Sequence, residues 1–103
     1  MEIKALQQRS VKLRDSYHQL EQQQDGHPWT LEQDALAFLT DAGLVGRQVM
    51  AHEQSWPEAV SSADLASKLA ENIWWLVEMA DRADIDVEAA LTAFLDEREQ
   101  HLG

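Results

Sequence analysis

The sequence predicts an all-α protein, an antiparallel four-helix bundle that associates into a dimer or a higher oligomer. Three observations lead there. Apolar residues recur in steps of three and four from end to end, with no convincing alternation of the kind a half-buried strand shows. Only 4 Gly and 2 Pro occur, too little turn chemistry for a many-stranded sandwich or barrel. With 103 residues, 45% of them hydrophobic and 26% charged, the chain has the length and balance of one folded domain spanning residues 1–103.

The first helix is expected over roughly 2–24, where Ile3, Leu6, Leu13, Tyr17 and Leu20 form a narrow seam and Ser10 fills its missing position. Gln22-Gln23-Gln24-Asp25-Gly26-His27-Pro28 supplies the turn chemistry that ends it. The second helix, roughly 30–54, starts at Thr30, whose hydroxyl suits the free amides of the next turn, with Glu32 near the positive helix end. Its apolar set is Leu31, Ala35, Phe38, Leu39, Ala42, Val45 and Val49. Gly43 and Gly46 interrupt that set at a cost of about 1 kcal/mol each relative to alanine. Because the spacing continues in phase on both sides, the sequence predicts an unbroken helix against which another backbone packs closely.

Ser55-Trp56-Pro57 marks a loop, and Ser61 followed by Asp64 resembles a capping box. The third helix, roughly 62–82, contains Ile73-Trp74-Trp75-Leu76-Val77, apolar around its whole circumference, as expected of a central helix or one at a subunit interface. The fourth, roughly 86–101, is capped by Asp86 after Ile85 and carries the stripe Val87, Ala90, Leu91, Phe94 and Leu95. Short connections between four helices imply antiparallel neighbours.

Charge and composition exclude whole classes of function. Eight basic residues against 19 acidic ones give a net charge of −11, which repels phosphate backbones and anionic lipid, so neither DNA, RNA nor a membrane surface is an expected partner. Residues 1–20 hold four basic and two acidic side chains, fitting a helix docked on an acidic body better than a nucleic-acid arm. Cys is absent, which removes disulfides, thiol catalysis and Cys-ligated metals. No apolar run approaches the ~18 residues of a membrane span, and the first residues lack the apolar block of a secretory signal, so a cytoplasmic protein is expected.

Chemistry-bearing motifs are sparse. His18, His27, His52 and His101 include no pair at the i,i+4 spacing that places two imidazoles on one metal. There is no Gly-rich phosphate loop and no Gly-x-Ser-x-Gly elbow. What remains is carboxylates within helices: Asp41, between Phe38 and Val45, and Glu71, between Lys68 and Trp75. Facing helices hold Mg²⁺ when each supplies carboxylates at i,i+3, since that spacing aims two oxygen groups at one point. Solvated ion pairs such as Asp64 with Lys68 are the plainer reading of the same residues.

The stretch Leu69-Ala70-Glu71-Asn72-Ile73-Trp74-Trp75-Leu76-Val77-Glu78-Met79-Ala80-Asp81-Arg82-Ala83-Asp84-Ile85-Asp86-Val87-Glu88-Ala89-Ala90 resembles the third and fourth helices of MazG-like nucleotide pyrophosphohydrolases. Upstream, Thr40-Asp41-Ala42-Gly43-Leu44-Val45-Gly46-Arg47-Gln48-Val49-Met50-Ala51 is similar to that family's first acidic helix, including an internal glycine at Gly43. The likeness covers about residues 29–97. It implies an all-α, usually oligomeric protein. It also implies a Mg²⁺ site built from a Glu-x-x-Glu pair on one helix and a Glu-x-x-Asp pair on the next, at which a metal-activated water releases pyrophosphate from a nucleoside triphosphate. Carried over by position, the pairs fall on Asp41 and Leu44, and on Lys68 and Glu71. Asp41 and Glu71 are the remnant ligands; Leu44 and Lys68 alter the site. Asp81 falls at the family's Asn/Asp position near the nucleotide, Asp84 where glycine often ends the helix, and Phe94 and Glu97 where many members carry a phosphate-binding lysine.

Replacing two of four carboxylates removes much of the attraction on which Mg²⁺ depends. Lysine at position 68 goes further, because its ammonium repels a divalent ion within about 4–6 Å. The resulting expectation is that Lys68 takes over the ion's electrostatic task between Asp41 and Glu71, leaving Mg²⁺ a doubtful cofactor. The leading reading is a MazG-like protein with impaired catalysis that acts through homo-oligomerisation or partner binding. An active pyrophosphohydrolase with a rearranged site, and an unrelated helical interaction module, are the alternatives.

Overall fold

A computed structural model describes residues 2–55 and 62–102; every described regular element is an α-helix. These are α1 (Ile3–Asp25), α2 (Leu31–His52), α3 (Ser62–Arg82) and α4 (Val87–Leu102). Each lies within two residues of its expected bounds. The proposed cap at Ser61 and the loop at Trp56-Pro57 lie outside the described residues.

Local chemistry sets the helix ends. Gly26 stops α1 by adopting φ 82°, the left-handed conformation glycine enters without steric cost, and its N–H donates to the Gln22 carbonyl. At α2 the Thr30 hydroxyl accepts from the Gln33 N–H at 3.2 Å, while the Gln33 side chain accepts from the Thr30 N–H at 2.9 Å. This reciprocal box satisfies two orphan amides, one more than the cap expected from Thr30 alone. Asp84 follows α3 at φ 59°, which explains why glycine is common at the matching position of the resembling family; aspartate is among the few other residues that enter this region readily. Asp86 then caps α4, its Oδ1 accepting from the Ala89 N–H at 3.1 Å.

The chain forms two compact units, one of residues 1–28 with 77–103 and one of residues 29–76. In the first, α1 packs on α4. Gln7 donates to the Ile85 carbonyl at 3.1 Å, and Lys4 pairs with Asp86 at 3.4 Å. Its interior is ionic. The Arg14 guanidinium meets Glu21 at 2.7 Å and Glu78 at 3.1 Å, all three side chains being buried, and Arg82 stands 3.9 Å from Glu78.

Several expectations about the core are overturned. The α1 seam runs along Ser10, Arg14 and Glu21, and Leu13, Tyr17 and Leu20 are left almost half exposed, because the ion pair fills the inward side. The α4 stripe is not a core: no α4 residue is buried, and Leu91, Phe94 and Leu95 face solvent. Phe94 instead receives the Arg98 guanidinium 4.9 Å above its ring. In α3, Trp75 and Val77 are buried while Ile73 and Leu76 are about half exposed, so its apolar girth is only partly covered. Gly43 and Gly46 lie in an unbroken helix, yet a Cβ added to either would meet nothing within 4 Å, so nothing in this chain packs closely there.

Candidate functional site

The site lies in the unit of residues 29–76 and grows from two helical spacings. On α3, Lys68, Glu71, Asn72 and Trp75 follow one another at i,i+3 and i,i+4, which puts them on one face. On α2, Asp41 sits on the half-buried side with Phe38 and Val45. The two faces meet through four polar contacts. Lys68 Nζ lies 3.8 Å from Asp41 Oδ1 and 3.5 Å from Glu71 Oε2. The Trp75 indole N–H donates to Asp41 Oδ2 at 2.7 Å. Asn72 Nδ2 donates to the Lys68 carbonyl at 2.7 Å and reaches the Asp41 carbonyl at 3.4 Å, tying the two helix backbones together.

Exposure matters to the strength of these contacts. The side chains of Asp41, Lys68 and Glu71 are 15%, 28% and 40% exposed, a partly wet cluster in which direct attraction of about 4 kcal/mol per close pair is largely offset by desolvation. Burial alone would push the Asp41 carboxyl up, but hydrogen bonds from Glu71 and Trp75, with the Lys68 ammonium, outweigh it and hold the group below the usual aspartate value. Glu71 moves the other way. Its hydrogen bond to Asp41, its burial and the Asp41 charge raise it, and Lys68 offsets this only in part. Two neighbouring acids are thus driven apart, with Glu71 the proton donor and Asp41 the carboxylate.

Stability should register this division. A raised Glu71 contributes most below its unfolded value of about 4.3 and loses that contribution as pH rises through its folded value. A lowered Asp41 contributes above its unfolded value of about 3.9 and loses it as pH falls through its folded value. The pair therefore contributes most in mildly acidic solution. Glu71→Gln, which keeps a donor facing Asp41 and cannot ionise, should remove the pair's share of the decline toward neutral pH. Urea midpoints of wild type and variant at pH 5 and pH 7.5 measure it, and parallel declines in both proteins would show that no proton is shared.

Of the residues singled out in the sequence, the structure brings Asp41, Lys68 and Glu71 together. The Lys68 ammonium is turned to these two acids, not to Asp64. Leu44, three residues beyond Asp41, is 38% exposed. Asp81 belongs to the other compact unit, where it lines a surface groove of about 330 Å³ with Lys4, Gln7, Asp84 and Asp86. Trp75 and Asn72 are the members that sequence reasoning missed. Their signal was present, since each stands four residues from a singled-out side chain, but an aromatic at helical spacing reads first as core. Trp74 lies against Trp75, ring centroids 4.7 Å apart and planes at 52°. Among the described residues, no three or more His, Asp or Glu side chains gather as a metal cage. Comparison with protein-family models, curated proteins and solved structures gives no match.

Proposed function

We propose that this protein is a MazG-like helical domain, an antiparallel four-helix bundle of the cytoplasm, in which cation-dependent nucleotide hydrolysis has given way to self-association. The observation that carries the reading is the Lys68 ammonium between Asp41 and Glu71. A monovalent organic cation held by those two acids neutralises them as a divalent ion would, without the Lewis acidity that activates water. Mg²⁺ needs near-octahedral oxygen ligation at about 2.0–2.1 Å, and an ion drawn in by both carboxylates would face the ammonium at short range. Self-association is supported by burial. Trp75 and Val77 are the buried apolar side chains among the described residues, whereas 17 large apolar side chains are exposed. Covering a side chain of that kind contributes about 1.5–3 kcal/mol when burial is complete, so a handful of half-exposed ones drives association.

The test mixes the protein with each nucleoside triphosphate and Mg²⁺ and detects pyrophosphate. No release above the protein-free blank is expected. Turnover that disappears in Asp41→Ala would overturn the reading and establish an active pyrophosphohydrolase with a rearranged site. Sedimentation at micromolar concentration should show a homo-oligomer. A monomer alone would remove self-association.

A further inference from the structure

We propose that the outward face of α2, built on Leu36, Leu39, Gly43, Gly46 and Met50, is the surface on which a second copy of this chain docks, the two α2 helices crossing antiparallel at the glycine pair. The inference rests on the self-association reading and names where that association occurs. These five residues follow in steps of 3, 4, 3 and 4, a continuous seam along one side of the helix. All are exposed, Leu36 and Leu39 by 64% and 66%. The opposite side carries the fully buried Asp34, with Phe38, Asp41, Val45 and Gln48, and is occupied by the chain's own packing.

Glycine is the costliest ordinary residue in a helix interior, and two of them sit mid-seam with open space where a side chain would stand. The chain itself gains nothing from that space. A second helix does: without Cβ atoms at the crossing, two backbones approach toward the short end of the ~8–10 Å range of helix packing. Flanking apolar side chains then interlock on either side.

Charge selects a second copy as the occupant. Two chains of net charge −11 repel each other wherever their surfaces are acidic. This seam is an exception: from Leu36 to Met50 its positions and the flanking Ala35, Thr40, Ala42, Arg47 and Val49 contain no carboxylate, Asp34 and Asp41 lying on the other side of the helix. Like chains therefore meet here without acidic repulsion. A parallel pair would set Arg47 beside the partner's Arg47. An antiparallel pair with Gly43 against the partner's Gly46 sets Leu39 against the partner's Met50, separates the arginines and opposes the helix dipoles favourably.

Sedimentation velocity of the full chain across the micromolar range, with helicity followed by circular dichroism, tests this. The wild type should be a dimer. Leu39→Glu places a carboxylate at a position already two-thirds in solvent, so it should keep its helicity while its dimer dissociation constant rises about 100-fold. Gly46→Leu should keep or raise helicity and also dissociate. Since the chain has no Cys, the double variant Leu39→Cys with Met50→Cys should oxidise to a covalent dimer. A wild-type monomer sinks self-association altogether. A wild-type dimer that persists in Leu39→Glu, or a monomer that binds phospholipid vesicles through this face, leaves the docking surface refuted.

Discussion

Arg14→Leu is expected to destabilise the protein by about 3–5 kcal/mol, a large share of the stability of a domain this size. The guanidinium bridges Glu21 and Glu78, and all three side chains are withdrawn from water. Removing it strands two carboxylates, with Arg82 only at 3.9 Å from Glu78. A buried ion pair contributes little relative to well-packed apolar side chains, yet breaking one from a single side is costly. The triple variant Arg14→Met, Glu21→Leu and Glu78→Leu should therefore be close to wild type, or more stable by about 1–4 kcal/mol. Urea denaturation of both variants decides it. A loss below about 1 kcal/mol for Arg14→Leu would place these groups in the regime of solvated pairs.

The second large effect is a gain. Leu44→Glu combined with Lys68→Glu restores carboxylates at both altered positions of the resembling metal pattern and removes the ammonium that blocks it. Four acids held on two facing helices repel one another, so without a divalent ion the variant should melt below wild type. Added Mg²⁺ should raise its melting temperature by roughly 10 °C or more, the shift expected once the ion exceeds its dissociation constant about 100-fold. The wild type should not respond, and Lys68→Glu alone should respond less. A folded double variant indifferent to Mg²⁺ would show that Leu44 does not look onto the position between Asp41 and Glu71.

Helix number, order and bounds were legible because each end carries its own chemistry in the sequence: Gly26 after α1, Thr30 before α2 and Asp86 before α4. Asp41, Lys68 and Glu71 were legible for a related reason. Lysine among acids at i,i+3 spacing has few stable arrangements other than contact with them. The cores were less legible. Periodicity tells which residues share a helix face and not what covers that face, so the stripe of Leu91, Phe94 and Leu95 reads as interior although the chain leaves it in solvent. Arg14, Glu21 and Glu78 lay beyond reach for the opposite reason. Their pairing joins residues 64 positions apart, and charged residues read as surface until a partner is known.

The Trp74–Trp75 pair gives the site an optical signature. Two indoles 4.7 Å apart are close enough for their electronic transitions to mix, and the Trp75 ring is anchored by its N–H to the Asp41 carboxylate. Ultraviolet dichroism and tryptophan emission will therefore follow the protonation of these acids and any displacement of the neighbouring ammonium. The molecule carries its own dye at the position where its chemistry has to be judged.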